Sequence, residues 1–174
     1  RRVGKTVLLR ELVNSFEGKT LLLNGEDYDV QSMLANRSVA NYRHLFNGVE
    51  LVAIDEAQNI PNIGSVLKLM VDEFAGLSVI ASGSSSFDLL KKTGEPLVGR
   101  SVKFQLTPLS CKEISSVETP FELSQNLEQR MLYGMYPEVV TMSSNDMRIE
   151  YLGEIVDLYL LKDILAVDGI KNAS

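Results

Sequence analysis

Residues Val3, Gly4, Lys5 and Thr6 form the second half of the pattern G-x-x-x-x-G-K-[ST], and an apolar helical pattern follows at once. This pairing ties a loop to a helix N-terminus. Gly4 carries no side chain, so the backbone N–H groups around it can curl about an anion while the helix presents its positive end. Lys5 brings a mobile charge suited to β- and γ-phosphates, and Thr6 brings a hydroxyl that can join a Mg²⁺ shell. The first glycine of the pattern would fall two residues ahead of Arg1. The chain is therefore expected to begin inside its own phosphate-binding loop.

The order of elements supports a layered α/β fold. Val7, Leu8, Leu12, Val13 and Phe16 recur at helical spacing, with Gly18 as the stop. The apolar run TLLL (20–23), ended by Asn24 and Gly25, predicts a buried parallel strand. A polar stretch with weaker helical signals reaches Gly48, and LVAIDE (51–56) predicts a second buried strand with two acids at its C-terminal end. That end is where open α/β sheets hold ligands. Ile63, Val66, Leu67, Met70 and Phe74 predict an amphipathic crossover helix, with Lys68, Asp72 and Glu73 on its polar side. LSVIA (77–81) predicts a third strand, ending in the serine-rich SGSSS (82–86).

The acids suit different tasks. Asp55 at the strand end can support Mg²⁺, and Glu56, pointing the other way along the pleat, can act as base toward an attacking water. Ser82 or Ser84 can sense a γ-phosphate, or the serines can cap a helix over FDLL (87–90). Together these residues point to ATP and Mg²⁺.

The ordered set RRVGKT (1–6), IDEAQ (54–58), SGS (82–84) and LVGR (97–100) resembles the prokaryotic AAA-type ATPases that carry a C-terminal uncharacterised domain. LTPLS (106–110), YGMYP (133–137) and YLLKD (159–163) extend the likeness over nearly the whole chain. The resemblance implies a P-loop NTPase fold, a parallel sheet flanked by helices. The central strand that precedes the loop would be missing here, so binding by the chain as it stands is left open. It also implies that Arg2, Val3, Gly4, Lys5 and Thr6 contact the nucleotide, that Thr6 and Asp55 serve the metal, that Glu56 and Lys5 serve catalysis, and that Ser82 or Ser84 acts as sensor. Arg100 is either a charge-neutralising finger or an arginine paired with a carboxylate near a strand at VKFQL (102–106).

Composition narrows the classes. The chain has 174 residues, 45% of them hydrophobic, enough for one sizeable core. The expected division is an ATPase core over 1–118 and a helical extension over 119–174. A formal charge of −6 argues against a broad nucleic-acid surface, and no apolar run reaches membrane-spanning length. One Cys and one His exclude the usual zinc clusters, and a reduced cytoplasmic setting fits. Cys111 is expected to fill space at a helix start.

The C-terminal region is helical in pattern. Leu127, Met131 and Leu132 form one group; Ile149, Leu152, Ile155, Val156, Tyr159, Leu160, Ile164 and Val167 form a stripe, stopped at Asp168 and Gly169. It reads either as a lid or docking surface for a further C-terminal domain, or as bundle packing. The leading expectation is ATP hydrolysis that drives or switches an attached domain. A nucleotide-occupied scaffold with negligible turnover and a DNA-linked ATPase are the alternatives, and homo-oligomerisation is left open.

Overall fold

The structure is a computed structural model that describes residues 2–84 and 97–157. The expected helix at 87–90, the segment 91–96, and the C-terminal pattern beyond residue 157 with its stop at Asp168 and Gly169 lie outside the described residues. The chain forms two compact units, Val3–Phe104 and Gln105–Ser174, and Arg2 groups with the second.

The first unit is a parallel three-stranded sheet flanked by helices. Helix α1 (Lys5–Ser15) leads to strand β1 (Thr20–Asn24), helices α2 (Tyr28–Ala35) and α3 (Val39–Leu45), strand β2 (Leu51–Asp55), helix α4 (Ile63–Glu73) and strand β3 (Ser78–Ala81). The strand order is β1-β2-β3. Thr20 lies opposite Leu51, and Leu51 lies opposite Ser78, so the three strands end together at Asn24, Asp55 and Ala81.

Strand β2 is the centre of the sheet, with Leu51, Val52, Ala53 and Ile54 all buried. Burial on both faces is what a continuous apolar run in a parallel sheet requires. Strand β1 is only partly covered: Leu23 is buried and Leu22 is exposed, which corrects the expectation of a fully buried strand. An edge strand alternates because only one of its faces meets the core.

Val52 and Ile54 join Leu23, Leu34, Ile63, Val66, Leu67 and Met70 in one core. The residues predicted for the crossover helix are the buried face of α4, apart from Phe74, which is half-buried. The rings of Tyr42, Phe46 and Phe74 form a tilted cluster, the Phe46 and Phe74 rings meeting edge to face at 5.5 Å. Helix α1 packs on β2 through Leu9, its one buried residue. Val7, Leu8, Leu12 and Phe16, the apolar pattern read from sequence, are exposed.

The strand expected at 102–106 is absent. Val102 and Phe104 are 78% and 89% exposed, and among the described residues no ladder bonds engage this stretch. Alternating apolar residues stabilise a strand only where an open sheet edge receives them.

The second unit is helical: α5 (Cys111–Ile114), α6 (Pro120–Gln125), α7 (Leu127–Tyr133), α8 (Pro137–Thr141) and α9 (Asn145–Ile155). Ser110 with Glu113, and Thr119 with Glu122, close reciprocal capping boxes on α5 and α6. Cys111 starts α5 as expected but is exposed, so it fills no core space. Leu127, Met131 and Leu132 are exposed as well. In α9 the buried residues are Arg148 and Tyr151, whereas Ile149 of the predicted stripe is 58% exposed. The face chosen is the one that lets Arg148 reach the carbonyls of Val139 and Met142.

Candidate functional site

The common ending of the three strands brings distant sequence segments together. The β2–β3 ladder continues past the strands, since Ser82 N–H donates to the Ile54 carbonyl at 2.8 Å and Ala57 N–H to the Ser82 carbonyl at 2.9 Å. On the other side Gly25 N–H donates to the Asp55 carbonyl at 2.8 Å. The backbone thus holds Asp55 on the β1 side and, on the β3 side, Ile54 and Ala57 that flank the acids.

The pleat directs Asp55 to the same face as Leu51 and Ala53, opposite Val52 and Ile54. There the Thr6 hydroxyl of α1 donates to Asp55 Oδ2 at 2.7 Å. The Ser82 hydroxyl donates to the other carboxylate oxygen, Oδ1. Both oxygens therefore carry a hydroxyl, and Glu56 N–H adds a third donor to Oδ1 at 3.1 Å.

Gly4 caps α1 in the left-handed region, φ 88° and ψ 16°, and its carbonyl accepts from Leu8 N–H at 3.0 Å. A Cβ at Gly4 would meet nothing within 4 Å. Its requirement for glycine is conformational rather than spatial. Lys5 is the first residue of the helix, and Val3 and Lys5 are half-buried. Arg2 groups with the second unit, its guanidinium 3.7 Å from Glu138 and 5.1 Å from the Tyr151 ring centroid.

Glu56 is not the next pleat position. It leaves the strand in the left-handed region, φ 47° and ψ 42°, so a turn rather than alternation aims its side chain. A non-glycine residue held there is strained, and such strain collects at functional sites. The 3₁₀ turn Ala57–Asn59 follows, and Gln58 Nε2 donates to Glu56 Oε2.

Arg100 stands apart from this cluster in its bonding: its Nε donates to Asp72 of α4 at 2.7 Å, on an exposed surface. Ser84 is the last described residue of the loop after β3.

Two residues near the acids were missed in sequence. Gly25 is one: a Cβ there would fall 2.4 Å from the Glu56 carbonyl oxygen. The dipeptide Asn24-Gly25 after a strand signals a turn, and only the fold reveals what lies against it. The other is Gln58, whose role depends on the turn that returns it to Glu56.

Metal chemistry fits this donor set in one way. Among the described residues no three His, Cys, Asp or Glu side chains gather as a cage. Mg²⁺ seldom needs one, because it keeps several waters and takes one or two protein oxygens plus substrate phosphates. Thr6 and Asp55, joined by a hydrogen bond of 2.7 Å, are the oxygens here that would serve as such a pair.

The family described as AAA domain matches residues 1–115, and a domain of unknown function matches residues 124–174. An uncharacterized protein of Methanocaldococcus jannaschii is 26% identical over 99% of this chain and 42% of its own length. Uncharacterized proteins of Mycobacterium bovis and Mycobacterium tuberculosis are each 27% identical over 98% of this chain and 36% of their own length. The chain thus spans about two fifths of the length of these relatives. No solved structure matches. Among the described residues no helix is long and apolar enough to cross a membrane. With two thirds of its length matched, the chain belongs to the AAA domain family of ATPase-like, nucleotide-binding modules.

Proposed function

We propose that the first unit binds ATP with Mg²⁺ at the joined ends of β1, β2 and β3 and hydrolyses it by attack of water on the γ-phosphate. The supporting observation is the bonding of Thr6 and Ser82 to the two oxygens of Asp55, which unites three segments separated by up to 76 residues. In this reading the N–H groups around Gly4 and the positive end of α1 receive the phosphates, joined by Val3. Lys5 offsets charge on the β- and γ-phosphates. Thr6 and Asp55 hold Mg²⁺, which when bound neutralises charge on the phosphate oxygens. Ser82, bonded to Asp55, reports on the γ-phosphate side, with Ser84 beside it in sequence.

Glu56 is the base. Its neighbour Asp55 is occupied by three donors, whereas among the described residues the one side-chain donor to Glu56 is Gln58, on Oε2. Arg100 serves as a charge-neutralising residue only after leaving Asp72. The helical unit transmits nucleotide state to a further domain.

The test is hydrolysis by the intact protein with Glu56→Gln. Loss of a general base lowers turnover by about 10²–10⁴-fold while ATP binding persists. Unchanged turnover in that variant would remove Glu56 from the reaction.

A further inference from the structure

Gln58 has no part in the proposed reaction so far, yet it is bonded to the side chain on which that reaction depends. Its Nε2 donates to Glu56 Oε2, two residues back along the chain. The turn carrying it is anchored at both ends: Ala57 is fully buried and bonded through its N–H to Ser82, and Ile60 is 2% exposed. Asn59 N–H closes the turn onto the Glu56 carbonyl at 3.1 Å.

The amide orientation follows from chemistry. Reversing it would set the Gln58 carbonyl oxygen against the Glu56 carboxylate, two acceptors with no proton between them. With the nitrogen toward Glu56, the Gln58 oxygen is buried and has no hydrogen-bond partner. Buried side-chain acceptors are seldom left unmatched, and one that is calls for an explanation. A glutamine kept solely to support the turn would gain more by satisfying both ends.

The backbone beneath Glu56 is held just as closely. It sits at φ 47°, its N–H is bonded to Asp55 Oδ1, and its carbonyl lies where only a glycine at position 25 leaves room. Backbone and carboxylate are thus fixed from different sides.

We propose that Gln58 is a positioning residue for Glu56: its amide N–H fixes one carboxylate oxygen so that the other faces the reacting water. This rests on the reading of Glu56 as the base. Gln58 touches neither nucleotide nor water and acts through Glu56. Its removal costs orientation at the base, where a displacement of about 1 Å can reduce rate roughly 10²-fold.

The experiment compares steady-state hydrolysis by the intact protein with Gln58→Leu, Gln58→Glu and Gln58→His, alone and in a Glu56→Gln background. Gln58→Leu removes the donor; Gln58→Glu keeps the shape and replaces the donor with an acceptor; Gln58→His restores an N–H. The expected result is kcat lower by about 10- to 100-fold in the first two, KM for ATP within about twofold, and partial recovery with histidine. In the Glu56→Gln background Gln58→Leu should cause no further loss, since residues acting through one another are not additive. Equal kcat in Gln58→Glu and wild type would overturn the proposal, and so would a full additional loss in the double variant. If Gln58→Leu fails to fold, the isosteric Gln58→Glu carries the comparison. A Glu56→Gln protein with unchanged turnover overturns both the base and its positioning residue. A Glu56→Gln protein that is inactive beside fully active Gln58 variants overturns the positioning role alone.

Discussion

Thr6 and Asp55, 49 residues apart, meet through a hydroxyl-to-carboxylate hydrogen bond of 2.7 Å. This bond joins the start of α1 to the end of β2 and places both candidate Mg²⁺ ligands in one spot. Thr6→Val keeps the side-chain shape and removes the donor. A group that orients a metal ligand is typically worth about 10- to 100-fold in metal affinity. The expected outcome is Mg²⁺-dependent ATP binding weaker by roughly tenfold or more. Titration with ATP in the presence and absence of Mg²⁺ checks it: an equal loss in both would place Thr6 outside the metal site.

Gly25 is required by space. It is absent from the positive-φ glycines, so alanine there suffers no conformational penalty, yet its Cβ would lie 2.4 Å from the Glu56 carbonyl oxygen and 3.1 Å from that of Asp55. Those atoms are backbone and cannot rotate away. Overpacking of this kind costs about 1–3 kcal/mol, and each kcal/mol lowers Tm by about 4–8 °C in a domain of about 100 residues. Thermal unfolding of Gly25→Ala measures this directly. An unchanged Tm with unchanged turnover would mean the β1 and β2 ends separate freely.

Tyr42 is fully buried, and its hydroxyl donates to the Leu34 carbonyl at 2.5 Å, tying α3 to the end of α2. Burial pushes the phenol up from 10.0 to about 12, opposed by Arg37. The folded state therefore retains a proton that the unfolded chain releases first. Its contribution is complete below pH 10 and is lost as pH rises toward 12. Tyr42→Phe should lower stability by about 0.5–1.5 kcal/mol at neutral pH and flatten the alkaline decline. Urea unfolding across that range tests both; an identical alkaline slope in the variant would contradict the assignment.

Arg148 is 5% exposed and is held by carbonyls rather than by an acid. Its Nε donates to the Val139 carbonyl at 3.1 Å, one terminal nitrogen to Asn145 Oδ1 at 2.8 Å, and the other to the Met142 carbonyl. These carbonyls lie near the C-terminal end of α8, where a cation also meets the negative end of the helix. Arg148→Met leaves them without donors, at a cost of about 1–3 kcal/mol. Lysine should recover less than half of this, because an ammonium lacks the planar fork. Circular dichroism during unfolding, compared among the three proteins, is the check; full rescue by lysine would show that charge alone matters.

The parts legible in sequence are those where one local rule decides the outcome. The LVAI run of β2, the α4 face from Ile63 to Met70, and the Asp55–Glu56 pair at a strand end followed from periodicity. What periodicity missed depended on partners. Val102 and Phe104 alternate like a strand but meet no edge, and Val7, Leu8 and Leu12 repeat like a core face yet lie exposed. In α9 Arg148 is buried beside Tyr151 because its three donors found acceptors, with Leu152 and Ile155 of the apolar stripe half-buried and Ile149 and Val156 exposed. At the site, Glu56 was expected from pleat alternation and is aimed instead by a left-handed turn. Gly25 and Gln58 escaped because their significance lies in contacts across that turn.

The most direct test of the account is ATP binding by the intact protein measured beside Lys5→Ala, with and without Mg²⁺. The expected result is Mg²⁺-supported binding that falls at least about tenfold in the variant, equivalent to about 1.4 kcal/mol, because the role proposed for Lys5 at the start of α1 is to offset phosphate charge. Equal binding by both proteins, or none by the wild type, would contradict it.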